Sequence, residues 1–168
     1  RYHFSSPDLE LKFLVTRGQK LLKICETHIE ESFKTDHSKL LKALITIEEK
    51  ILRNPKEVND HLKFFYELPN YDKKLLTHEK LKVDAETAQK ALKAAQEALK
   101  SSSNFATPSQ IQETLMPVVA ALSFKNGQVF WPLRAACTGV EFSPGVFEVI
   151  WVLGKEESLK RIDQAITN

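Results

Sequence analysis

Arg134 is the one charged side chain in the run from Gln128 to Val140. A guanidinium in that setting has two uses. Turned inward, it pairs with Glu141 or Glu148 or satisfies the last carbonyls of a helix. Turned outward, it offers forked donors to the edge of a nucleobase or to a phosphate. Nearby, Ser143-Pro144-Gly145-Val146 has the chemistry of a proline-led helix start, where free backbone N–H groups add donors for a base or a phosphate. Ser143 and Pro144 also serve as an ordinary cap, and the two roles are compatible.

No other constellation carries chemistry. The five histidines, His3, His28, His37, His61 and His78, are scattered and read as surface or half-buried structural residues. Glu30-Glu31 and Glu48-Glu49 are adjacent in helices and point apart, so neither forms an acid/base couple. There is no Gly-rich phosphate loop and no ordered Ser/His/Asp or Cys/His set. Cys25 and Cys137 lie far apart without zinc-ligand spacing, which predicts two buried free thiols and no metal site.

Composition narrows the rest. A chain of 168 residues is close to the roughly 150 residues of an ordinary domain and needs no staple to hold a core. Lys plus Arg number 24 against 22 Asp plus Glu, a net +2, so any nucleic-acid role rests on a few placed residues and not on a basic face. No run of about 18 apolar residues and no signal-peptide h-region is present. We expect a cytoplasmic protein with no membrane partner, and the start at Arg1 without Met suggests a piece of something longer.

The elements that must position Arg134 are helical. A small polar cap followed by proline recurs at Ser6-Pro7, Asn54-Pro55, Thr107-Pro108 and Ser143-Pro144, four expected helix starts. Glu57 and Gln110 sit where they reach back to the N–H of the caps Asn54 and Thr107. Leu21, Leu22, Cys25 and Ile29 form one apolar stripe, Leu40, Leu41, Leu44, Ile47 and Ile51 a second, and Val58, Leu62 and Phe65 a third. Asp84 caps an alanine-rich helix with Ala88, Leu92, Ala95 and Leu99 inward, ended by Ser101-Ser102-Ser103-Asn104.

Asn126-Gly127 is a hairpin signal, but the preceding Ile111, Leu115, Val118, Val119, Leu122 spacing is helical, so it reads as a left-handed helix stop. Val146, Val149, Ile150 and Leu153 predict a helix that stops at Gly154, and Leu159, Ile162 and Ile166 a last one with Glu156 and Glu157 in its first turn. Phe64, Phe65, Phe130, Trp131, Phe147 and Trp151 read as core, although Phe130 and Trp131 also offer a stacking face. The fold class is all-α, a two-lobed helical bundle without significant sheet. The Pro69-Asn70-Tyr71-Asp72 turn separates a lobe over 1–76 from one over 77–168.

Gly127-Gln128-Val129, Pro132-Leu133-Arg134-Ala135-Ala136, Thr138-Gly139, Ser143-Pro144-Gly145-Val146-Phe147-Glu148, Leu153-Gly154-Lys155-Glu156 and Leu159-Lys160-Arg161, in order and without gaps, resemble the closing segment of bacterial-type glutamyl-tRNA synthetases. More loosely, Tyr2 resembles the tail of the connector before the anticodon lobes, and Glu57, Asp60, Phe64 and Phe65 a first-lobe helix. The resemblance implies an anticodon-binding helical cage whose partner is the unstacked anticodon loop of glutamate tRNA. It implies that Arg134 reads a base and that Ser143, Pro144 and Val146 contact the loop. The family often carries an arginine six residues before the position of Glu57; Ile51 stands there, with Lys50 and Arg53 beside it, so either the register shifts by two and Arg53 is the first-base reader, or that base is weakly discriminated and Arg53 is a solvated helix-end arginine. Lys125, Lys155, Lys160 and Arg161 are candidate phosphate contacts, which position a nucleic acid without specifying it.

The family's His-Ile-Gly-His-like and Lys-Met-Ser-Lys-Ser-like signatures are missing and are expected upstream. ATP, Mg²⁺ and glutamate therefore belong to a parent ligase, and this segment, expected to be monomeric, has no catalytic residue or cofactor of its own. The competing reading is an all-α protein-interaction module whose exposed stripe docks a partner helix.

Overall fold

Three of the four proline-led sequences begin helices, and their caps show why. In the computed structural model, which describes residues 4–167, Ser6 accepts the Leu9 N–H at 3.3 Å and opens α1, Pro7–Cys25. Asn54 accepts the Lys56 N–H at 3.2 Å ahead of the single turn Pro55–Glu57. Thr107 accepts the Gln110 N–H at 3.3 Å, so that its side chain satisfies a donor left open by the first helical turn. The reach-back bonds differ from expectation. The Asn54 N–H is given to the Lys50 carbonyl at 3.0 Å instead of Glu57, and Gln110 accepts from Ala106, one residue ahead of the cap. Tyr2 and His3 lie outside the described residues.

The chain forms two compact units, one ending at Glu67 and the other beginning at Leu68. The Pro69–Asp72 turn therefore opens the second unit instead of closing a lobe at 76, because the turn Lys73–Leu76 packs on the helix that carries Arg134.

In the first unit, α1 packs on α2, His37–Thr46, and α3, Glu48–Arg53, while α4, Val58–Tyr66, packs on α2 and α3. Leu21, Cys25, Leu40, Leu44, Ile51, Leu62 and Phe65 from the three predicted stripes are all buried. Burial pushes the Cys25 thiol up to about 11, so it packs as a small hydrophobe and is not a nucleophile.

The second unit holds α5, Ala85–Lys100, α6, Pro108–Leu122, α7, Asn126–Thr138, and α8, Val146–Thr167. Asp84 caps α5 by accepting the Thr87 N–H at 2.7 Å, and Ala88, Ala91, Leu92, Ala95 and Leu99 line the buried face against α6, α7 and α8. The left-handed stop after α6 is Ser123, at φ 56° and ψ 33°, and Asn126-Gly127 begins α7 instead of ending α6. The Phe124 N–H returns to the Val119 carbonyl at 3.1 Å, so the chain turns three residues earlier than the Asn-Gly signal suggests.

Gly154, at φ 79° and ψ 171°, breaks α8 into the two predicted helices. Val146, Val149, Ile150, Trp151 and Leu153 are buried before the break, and Ile162 and Ala165 after it. Among the described residues the one β feature is an isolated bridge between His78 and Val83, and the architecture is all-α.

Candidate functional site

The site is built on the third turn of α7. The helix is anchored at its start, where Gln128 accepts the Lys125 N–H at 2.9 Å and donates to the Lys82 carbonyl at 3.2 Å. One turn on, Trp131 donates to the Leu75 carbonyl at 3.0 Å and meets the His78 ring edge-on at 4.4 Å. These contacts fix the indole, and the Arg134 guanidinium lies over it with its carbon 4.8 Å from the ring centroid. Such a shelf attracts a cation to the ring face and leaves its N–H donors available at the rim.

Those donors close a loop. Arg134 Nη1 donates to Ser143 Oγ at 2.7 Å and Nη2 to the Glu141 backbone carbonyl at 2.8 Å. The fork therefore holds two chain positions on either side of Phe142, using two of its five N–H groups. Burial pushes the Arg134 pKa down, with the Glu141 charge pulling it back up; arginine remains charged at neutral pH. Of the two expected partners for an inward guanidinium, Glu141 is met, but at its backbone oxygen and not its carboxylate.

The loop itself is tied at its base. α7 ends at Gly139, whose φ of 67° is left-handed and whose N–H returns to the Ala135 carbonyl at 2.8 Å. Thr138 Oγ1 donates to the Arg134 carbonyl at 2.8 Å and accepts the Val140 N–H at 3.3 Å.

Ser143 and Pro144 correct the fourth expected helix start. The Ser143 hydroxyl accepts from Arg134 and donates to the Pro144 carbonyl at 2.9 Å, so it is turned away from the helix N–H groups. The helix begins later, at Val146, with the Val149 N–H bonded to the Gly145 carbonyl at 3.0 Å. Val146 is 5% exposed; what it offers a ligand is backbone at a helix N-terminus and not its side chain.

The structure thus brings Arg134, Ser143 and Pro144 together, with the backbone of Val146 two residues on. Lys125 and Lys160 are exposed. Lys155 is not available as a phosphate contact, since its ammonium donates to the Lys100 and Ser102 carbonyls at 2.8 and 2.6 Å and fastens the end of α5. Arg161 is also corrected: it is 1% exposed, donates to Glu157 at 2.8 Å and to the Cys137 carbonyl at 2.8 Å, and is a core arginine. Cys137 beside it is a buried thiol pushed up to about 12 by burial. Arg53 belongs to the other unit and is exposed at the end of α3, while Ile51 is fully buried and serves as core.

Phe142 carries no motif in the sequence that marks it as functional. It is 86% exposed, the most exposed of the large hydrophobic side chains among the described residues. Its signal was an aromatic residue isolated between Gly139 and Pro144-Gly145, a span too short to bury it.

The model of a family described as an anticodon binding domain matches residues 15–166. The glutamate–tRNA ligase of Clostridium tetani is 40% identical over 107 residues, covering 63% of this chain and 22% of the relative. That of Lachnoclostridium phytofermentans is 39% identical over 111 residues, covering 66% and 22%. The matched part thus spans about a fifth of those relatives' length. A crystal structure of a glutamate tRNA ligase from Elizabethkingia meningosepticum in complex with its amino acid superposes with a TM-score of 0.67 at 27% identity, covering 93% of this chain and 29% of that one.

Proposed function

Because the chain belongs to the anticodon binding domain family, we propose that it is the anticodon-binding part of a glutamate-tRNA ligase, recognising the unstacked anticodon loop of glutamate tRNA. One observation carries this reading: a half-buried guanidinium held over the Trp131 ring and aimed by two hydrogen bonds into an exposed loop. Single-stranded loop bases are read in this way, by hydrogen bonds to splayed edges and stacking on flat side chains. Arg134 has three N–H groups beyond those that hold the loop. Pro144 and the backbone at Val146 contact the loop nucleotides, Ser143 orients the fork, and Lys125 and Lys160 position the phosphates. Arg53 contacts the first anticodon base.

The parent couples glutamate to tRNA with ATP in the cytoplasm as a monomer. ATP, Mg²⁺ and glutamate bind to its catalytic part. This chain supplies selection of the tRNA and no bond-making step.

Titration of glutamate tRNA at two salt concentrations tests the reading. Phosphate contacts release counterions, so affinity must fall as salt rises. The protein-interaction alternative predicts no saturable tRNA binding at either concentration.

A further inference from the structure

Phe142 stands at the apex of a three-residue arch whose two feet, the Glu141 carbonyl and the Ser143 hydroxyl, are gripped by one guanidinium. With both neighbours held, the ring projects outward and is 86% exposed. The other strongly exposed apolar residues, Leu9, Ile24 and Leu52, lie along helices of the first unit. Among these exposed side chains, Phe142 combines an aromatic face with an adjacent fork of hydrogen-bond donors. The exposed Glu141 carboxylate on the same arch disfavours a phosphate at this point, but it accepts from an exocyclic amino or imino group on a base edge. A flat partner with a polar rim fits all three groups; a phosphodiester does not.

We infer that Phe142 is a stacking platform for one unstacked base of the anticodon loop, placed so that the base's face lies on the ring while its edge is met by Arg134 and Glu141. The inference rests on the proposed anticodon-binding function and adds to it a residue that binds and places a base. Stacking of this kind tolerates any base, so Phe142 supplies affinity and placement while the polar edge supplies selection.

The test measures binding of glutamate tRNA to the full chain and to Phe142→Ala, Phe142→Leu and Phe142→Trp, with 2-aminopurine placed at each anticodon position in turn. Alanine and leucine should weaken binding about 5- to 150-fold, the range of base–aromatic stacking. The salt slope should stay unchanged because no phosphate contact is removed. Tryptophan should restore affinity. One labelled position should be quenched by the unaltered chain and by Phe142→Trp, and bright with Phe142→Ala. If the unaltered chain binds tRNA and Arg134→Ala weakens it, yet all Phe142 variants bind equally, the stacking role is overturned and the anticodon reading stands. If the unaltered chain shows no saturable, salt-sensitive binding, both fall.

Discussion

Arg134 Nη1 and Ser143 Oγ, nine residues apart in sequence, are joined by a 2.7 Å hydrogen bond that converts a helix terminus and the loop after it into one rigid unit. The consequence is preorganisation. A fork already seated on Trp131 loses little freedom when it meets a base, so more of each contact appears as affinity.

Removing the acceptor tests that coupling. Ser143→Ala should cost about 1 kcal/mol of stability, less than a fully buried charged hydrogen bond because the site is half exposed. It should weaken tRNA binding less than loss of the guanidinium does. In a double-mutant cycle with Arg134→Ala, the two binding losses should be non-additive by at least about 0.5 kcal/mol.

Gly139 sets where α7 ends. A Cβ there would lie 2.9 Å from the Pro69 ring and force an L side chain to φ 67°. Gly139→Ala should therefore destabilise the protein by about 1–2 kcal/mol from the backbone alone, and further through the Pro69 contact. Urea unfolding should show a lower midpoint.

Arg161 should behave as core. Arg161→Ala removes the donors to Glu157 and to the Cys137 carbonyl. Because Glu157 is 36% exposed and water can solvate it, the loss should be about 1–3 kcal/mol, below that for a fully buried pair. Affinity for tRNA per folded molecule should not change.

Asp84 makes stability depend on pH. Its pKa lies below the ordinary value chiefly because its carboxylate accepts the Thr87 N–H. The stabilisation is present above the unfolded value of about 3.9 and is lost as pH falls through the lower folded value. The stability gap between the protein and Asp84→Ala should be steady at neutral pH and close below about pH 4, which a series of urea titrations will show.

Much of the helical frame was legible because its signals are local. Ser6, Thr107 and Asp84 each bond an N–H three residues on, and Gly154 interrupts its own helix. Local signals mislead where a distant partner wins. Ser143 looks like a cap, but its hydroxyl is held by Arg134, nine residues back. Lys155 and Arg161 look like surface cations until the carbonyls of Lys100 and Cys137 are placed beside them. Ile51 shows the same limit from the other side: its position in the core, and not its neighbours in sequence, leaves Arg53 as the exposed arginine of that turn.

The most direct measurement is the affinity of glutamate tRNA for the protein and for Arg134→Ala, with helical content followed by circular dichroism. Loss of a forked base contact should weaken binding by about 1–3 kcal/mol with the helical signal unchanged. Arg134→Lys should not restore it, because an ammonium cannot present two parallel donors. Equal affinities for the protein and Arg134→Ala would contradict the assignment of Arg134 as the base-reading residue.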